Sequence, residues 1–210
     1  MRDLARISAL EALPRLLALA AGQTSCLLNI SELAAPFQVT RPTIREYMTL
    51  LSRIFLLDVL PPWHSNRIKR LVKTPKLHIG DTGLACALLG LEAEALRRDR
   101  ELFGRLLESF VYQELRRLAG WREETVSFFH FRDKDKDEVD VVLEIGGRVA
   151  GVEVKAASTV REEDFKGLAK LREAAGKKFT AGVVFYDGEA VAPFGRNLYA
   201  VPLSALWENY

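Results

Sequence analysis

The chain has 210 residues, 49% of them hydrophobic and 28% charged, with a formal net charge of +2. That composition describes a globular protein with enough chain for a real core, in one large domain or two small ones, and leaves nucleic acid open as a partner because local patches matter more than the sum. Two cysteines, Cys26 and Cys86, exclude a disulfide framework, and no apolar run approaches the roughly 20 residues needed to span a bilayer, so a soluble, cytoplasmic protein without a membrane partner is expected.

The opening "LARISALEALPRLLALAAG" repeats apolar residues at helical spacing and predicts one or two amphipathic helices stopping near Gly22. "NISELAAPF" starts another, with Asn29 or Ser31 as its N-cap and Pro36 near its end. A third helix follows in "VTRPTIREYMTLLSRIFLL": Thr40 can cap it and Pro42 sits in its first turn. Ile44, Tyr47, Met48, Leu51 and Ile54 make its apolar stripe. Two short helices around a tight turn form a helix-turn-helix pattern. Next, "FLLDVLPPWHSNRIKRLVKTPKLHIGD" reads as strand, long basic loop and strand, where a winged helix would put its wing. "RIKRLVK" could equally be an amphipathic strand. "DTGLACALLGLEAEALRRDRE" is helical, and a domain boundary is placed near residue 95, giving domains 1–95 and 96–210.

The second half reads as a helix ending at Gly120, then three strands, "TVSFFHFR", "EVDVVLE" and "RVAGVEVK", separated by the turns "DKDKD" and "IGG". A helix ("REEDFKGLAKLREAAG"), a strand ("FTAGVVFY"), a last strand and a short closing helix complete it. The expected fold class is therefore α/β (α+β): a helical N-terminal domain, then a mixed sheet flanked by helices.

Strand parity sorts the acids. In "EVDVVLE", Val139, Val141 and Leu143 share one face, and Glu138, Asp140, Val142 and Glu144 the other. In "VAGVEVK", Gly151, Glu153 and Lys155 oppose Val152 and Val154. Joined through Gly146-Gly147, the two strands should be antiparallel neighbours, with Asp140 near the Glu153/Lys155 pair and Gly151 leaving open space beside them. Hard carboxylate oxygens suit Mg²⁺ or Mn²⁺, and a nearby lysine can orient water and offset charge on a phosphorus transition state. The plainer alternative is a solvated strand face with a cross-strand Glu–Lys pair. On the preceding helix, Leu107, Val111, Leu115 and Leu118 form a core stripe, with Glu108 at its border and Gly104 one turn before it.

Gly104-x-x-x-Glu108, then Glu-Val-Asp140, then Val-Glu153-Val-Lys155 resembles the PD-(D/E)XK restriction-endonuclease-like superfamily. The phrases "RPTIREYMTLL", "RLVKTPKLHIGDTGL", "LLESFVYQEL", "EVDVVLE" and "VEVKAAS", in that order, resemble the C-terminal region, called DUF4143, of a prokaryotic AAA+-type ATPase family. The resemblance implies a winged-helix domain followed by a nuclease-like domain. It makes Asp140 and Glu153 metal ligands, Glu108 a third acidic ligand or water-mediated partner, and Lys155 the catalytic lysine. Val139, rather than proline, precedes Asp140. Relatives carry an ATPase, which makes an upstream ATPase domain or subunit a possible partner. The chain itself has no Gly-x-x-x-x-Gly-Lys-[Ser/Thr], so no nucleotide cofactor is expected.

For DNA, the recognition helix offers Arg41, Thr43 and Arg45, and the basic loop Arg67, Lys69, Arg70 and Lys73. Docking of the same winged helix onto protein is the alternative. His64, His78 and His130 are scattered and read as structural, and no Gly-x-Ser-x-Gly elbow occurs. The expectation is a Mg²⁺- or Mn²⁺-dependent nuclease acting on DNA. Its competitor is a non-catalytic DNA- or protein-binding module that keeps a nuclease-like scaffold.

Overall fold

The computed structural model describes residues 2–70 and 74–208, without the side chains of residues 2–11, Arg67 and Lys69. The chain packs as two compact units. One comprises residues 1–59 and 75–109, the other residues 60–74 and 110–210. By packing, the division therefore differs from a single cut near residue 95.

The first unit opens with one continuous helix, α1 (Arg2–Gly22), which carries Pro14 in its interior. A short strand β1 (Cys26–Leu27) precedes α2 (Ile30–Ala34), and Asn29 is its N-cap, its side chain accepting from the Ser31 and Glu32 amides. α3 (Arg41–Arg53) is capped by Thr40, whose hydroxyl accepts from the Thr43 amide. Ile44, Met48 and Leu51 of its expected stripe are buried. Ile54 instead lies beyond the last turn, as the C-cap, and is 61% exposed. Strands β2 (Leu57–Leu60) and β3 (Lys76–Ile79) complete a three-stranded sheet of order β1-β3-β2. The helix expected over residues 81–101 is broken: α5 (Thr82–Leu89) stops at Gly90, whose φ of 63° ends it, and α6 (Ala93–Arg98) restarts after it. The core gathers Leu16, Ala20, Leu33, Ile44, Leu77 and Ile79.

α7 (Arg100–Ala119) gives its residues through Ser109 to the first unit and the remainder to the second. In the second unit the sheet contains β4 (Val126–Arg132), β5 (Glu138–Ile145), β6 (Arg148–Lys155), β7 (Phe179–Tyr186), β8 (Ala192–Pro193) and β9 (Leu198–Pro202). Their spatial order is β4-β5-β6-β7-β9-β8. β4, β5 and β6 form the expected antiparallel meander, while β7 joins β6, and β9 joins β7, in parallel. A 3₁₀ turn at Glu162–Phe165 leads into α8 (Lys166–Ala175), which crosses between β6 and β7.

Both faces of this sheet are covered. Phe165, Leu168 and Leu171 pack on Val139, Val142, Val149 and Val184. Val111 and Tyr112 of α7 pack with Val141, Val152 and Phe185 on the other side. Two glycines permit the first of these layers. A Cβ on Gly167 would collide with the Glu138 carbonyl, and one on Gly151 would lie 2.6 Å from Leu168 Cδ2 and 2.7 Å from Leu171 Cδ2. Gly151 is thus filled against α8, contrary to the open space expected beside Glu153. Gly104, one turn before Glu108, has nothing within 4 Å of an added Cβ. Leu118, expected in the core stripe of α7, is 47% exposed.

The parity expected for β5 also fails, for a local reason. The β4–β5 register shifts between the pairs Phe129↔Val142 and Phe131↔Val139. An extra residue in β5 switches the faces within the strand. Val139 consequently packs with Val142, while Val141 and Leu143 belong to the opposite cluster.

Candidate functional site

The bulge falls at Asp140. Beyond it the sheet opens: β6 pairs with β7 through Lys155, but its ladder with β5 stops at Val141↔Val152. The Asp140 carboxylate takes over where the ladder stops, Oδ2 accepting from the Val154 amide at 3.0 Å. That hydrogen bond supplies a donor to the carboxylate of a buried residue. Lys155 and Tyr186 end a parallel strand pair, the edge at which open α/β sheets place their ligands.

Val152 and Val154 turn toward the α7 side of the sheet, and Gly151 meets α8. Alternation then puts Glu153 and Lys155 on the α8 side. Lys155 Nζ lies 3.2 Å from Glu153 Oε1 and 3.7 Å from Asp164 Oδ1. Burial pulls the Lys155 ammonium toward neutrality. The attractions of Glu153, Asp140 and Asp164 outweigh it and hold the pKa above the ordinary lysine value. Asp140, Glu153 and Lys155 are therefore brought together.

Asp164 joins them without having been anticipated from sequence. It sits in the 3₁₀ turn before α8, where its Oδ2 also accepts from the Arg161 amide at 2.8 Å. In sequence it was one acid of "REED", with the pattern of an ordinary helix start. Only the crossover that lays α8 against β6 reveals its neighbour.

The remaining acids of the stretch have other duties. Asp133 organises the turn, its Oδ1 accepting from the Asp135 and Asp137 amides. Asp137 pairs with Lys166 at 2.9 Å and Glu138 with Arg132 at 3.1 Å. Glu144 accepts from Arg70 at 2.7 Å and from the Trp63 indole at 3.0 Å.

Glu108 belongs to the first unit. Its Oε1 lies 2.9 Å from Lys76 Nζ and 4.0 Å from His78 Nε2. The same buried polar group holds Ser109 Oγ, 2.6 Å from Thr24 Oγ1, 3.0 Å from Ser25 Oγ and 2.9 Å from His78 Nδ1. Among the described residues no group of three or more His, Cys, Asp or Glu is placed to hold a metal ion.

Of the residues expected to meet DNA, Arg41 and Arg45 are exposed on α3, and Thr43 is half-buried with its hydroxyl 2.9 Å from that of Thr40. The basic loop packs into the second unit. Pro62 bridges to His130, Trp63 is buried, and the Arg70 guanidinium lies over Trp63 and Phe129. α4 (Arg67–Arg70) is a single helical turn within it, so neither uninterrupted loop nor strand. The side chains of Arg67 and Lys69, and the whole of Lys73, fall outside the described residues.

The order of elements and the carboxylate–lysine group invite comparison with known proteins. Residues 103–206 match DUF4143, a domain of unknown function. Residues 1–95 match a second domain of unknown function, DUF8612. The DUF4143 match takes in Glu108, Asp140, Glu153, Lys155 and Asp164. Similar proteins include the uncharacterized protein Rv2008c of Mycobacterium tuberculosis and the uncharacterized protein Mb2031c of Mycobacterium bovis. Each is 31% identical over 175 residues, covering 82% of this chain and 37% of the relative. The chain thus spans little more than a third of the length of these curated relatives. No solved structure matches it. No helix among the described residues is long and apolar enough to cross a membrane.

Proposed function

We propose that the DUF4143 region is a metal-dependent nuclease domain that hydrolyses phosphodiester bonds in DNA, coupled to a winged-helix DNA-binding domain. The observation that carries this reading is the Lys155 ammonium, held by Glu153 and Asp164 and attracted by Asp140 at the open carboxyl end of β6. The order of helix, three-stranded meander, helix and parallel strand supports it. So does the order α1, β1, α2, α3, β2 and β3 in the first unit, the succession expected of a winged helix, with α5 and α6 following it.

Asp140 and Glu153 would hold the metal. Their donors are hard oxygens, and Mg²⁺ commonly takes one or two protein carboxylates while keeping several waters, so the set fits without a closed cage. When bound, the metal polarises the phosphate and lowers the pKa of a water. The chain's own residues do the rest. The Val154 amide orients Asp140. Lys155 stays charged at neutral pH, so it acts as an electrostatic partner for the phosphoryl oxygens and not as a base. In the reaction a water oxygen bonds to phosphorus, the ester P–O bond breaks, and the leaving oxygen takes a proton. Glu108 has no assigned step in this scheme, and Lys76 engages its carboxylate within the first unit.

The test is incubation of the chain with plasmid, single-stranded DNA and RNA in Mg²⁺ or Mn²⁺, alongside Glu153→Ala and Lys155→Ala. Cleavage by the wild type that both variants lose supports the reading. No cleavage, or equal cleavage by the variants, refutes it.

A second reading, a non-catalytic binding module on a nuclease-like scaffold, is favoured by one observation. Arg70, expected to reach DNA, is instead bound to Glu144 and stacked on Trp63 and Phe129. On this reading the first unit binds DNA or docks onto protein, including an ATPase domain or subunit, and the carboxylate–lysine group serves folding.

A further inference from the structure

The second unit has another polar concavity, a cavity of about 640 Å³ lined by Arg172, Gly176, Lys177, Phe179, Arg196 and Asn197. It lies at the opposite end of the sheet from Lys155. In the parallel pair β6–β7, Val149 and Phe179 are partners at the start, and Lys155 and Tyr186 at the finish. Six residues of strand separate the two ends by roughly 20 Å.

Its lining carries three cations and no acid. Lys177 and Arg196 have no ion-pair partner among the described residues, and neither has the adjacent Lys178. Lys177 and Arg196 are exposed, so the cluster projects a positive potential into the cavity that an entering anion would meet. Its frame is also fixed in advance. Arg172 Nη1 donates to the Arg196 carbonyl at 2.9 Å, joining the end of α8 to the turn before β9. The Gly182 amide donates to the Asn197 carbonyl at 2.8 Å, and the Phe194 amide to the Leu198 carbonyl at 2.8 Å. The volume falls in the range of small-ligand sites, roughly 300–1,000 Å³. Two guanidinium groups beside an ammonium suit an oxyanion with several oxygens better than a single carboxylate.

We propose that this cavity is a phosphate-binding site, taking the phosphate groups of a nucleic-acid strand or of a free nucleotide. It does not rest on the reading of Asp140 and Glu153. A strand bound here would meet the domain on the end of the sheet away from Lys155.

The test is titration of ¹⁵N-labelled protein with an eight-residue oligothymidylate and, separately, with adenosine diphosphate. Saturable shifts of the Gly176, Lys177 and Asn197 amides are expected. Saturation by the oligonucleotide alone identifies a strand as the source, and saturation by the diphosphate identifies a free nucleotide. The double variant Lys177→Glu, Arg196→Glu, which spares the Arg172 tie, should weaken binding at least tenfold while the remaining spectrum is retained. Glu153→Ala should bind like the wild type, so failure of the nuclease reading leaves this site intact. Absence of saturable shifts with both probes overturns the proposal, as does unchanged binding by the double variant.

Discussion

Asp140 accepts the Val154 amide at 3.0 Å where the β5–β6 ladder has already ended. One carboxylate thereby closes the backbone of the neighbouring strand and stands among the charges around Lys155. Its structural and chemical duties are separable by substitution. Asp140→Asn keeps an acceptor for the amide and removes the charge, whereas Asp140→Ala removes both. An unsatisfied buried donor costs about 1–3 kcal/mol. The alanine variant should therefore unfold at visibly lower temperature than wild type, and the asparagine variant should lie between them. Cleavage, if the proposed nuclease reading is right, should be lost in both. Equal melting temperatures for all three proteins would remove the structural duty.

Lys155 has its pKa held above the ordinary lysine value of about 10.4 by Glu153, Asp140 and Asp164. A raised folded-state pKa contributes stability that is fully present below the unfolded value and is lost as pH rises through the folded value. Wild-type stability from this group should therefore be flat across pH 6–9 and fall only in strong alkali. Lys155→Met removes the cation from beside Glu153 and Asp164, so the variant should melt at lower temperature than wild type at about pH 7. An unchanged melting temperature would show that Lys155 does not hold this group together.

The element order was legible because helical stripes, the Asn29 and Thr40 caps and the Gly146-Gly147 turn are local signals. Both turn glycines indeed have positive φ, 54° and 80°. The meeting of Asp140, Glu153 and Lys155 was legible because a hairpin sets its own register. What parity could not supply was the bulge, which depends on β4, and Asp164, which depends on a crossover of ten residues of α8. The basic loop was misleading for a related reason. Its charge pattern suits solvent, but Trp63 and Pro62 carry it into the second unit's core.

Two glycine substitutions should move stability in opposite directions. Gly151→Ala would press a methyl to 2.6 Å from Leu168 and 2.7 Å from Leu171, a collision worth about 1–3 kcal/mol. Gly104→Ala meets nothing within 4 Å and adds a better helix former to α7, gaining about 0.5–1 kcal/mol. Urea denaturation of the two variants checks both signs. A neutral Gly151→Ala would mean that α8 is not seated against β6.

Arg70 and Arg45 should separate structural from binding roles among the basic residues. Arg70 is 12% exposed in its side chain, donates to Glu144 and covers Trp63 and Phe129. Removing it breaks the 2.7 Å ion pair with Glu144 and uncovers Trp63 and Phe129, so Arg70→Ala should destabilise the protein by about 2–4 kcal/mol. It should also shift tryptophan emission to the red as Trp63 gains water. Arg45 is exposed on α3, where its replacement by alanine should change stability by less than about 0.5 kcal/mol. If α3 reads DNA, Arg45→Ala should weaken duplex binding and flatten its salt dependence, with the emission maximum unmoved. Loss of binding in Arg70→Ala without any loss of stability would instead return Arg70 to the DNA-facing surface.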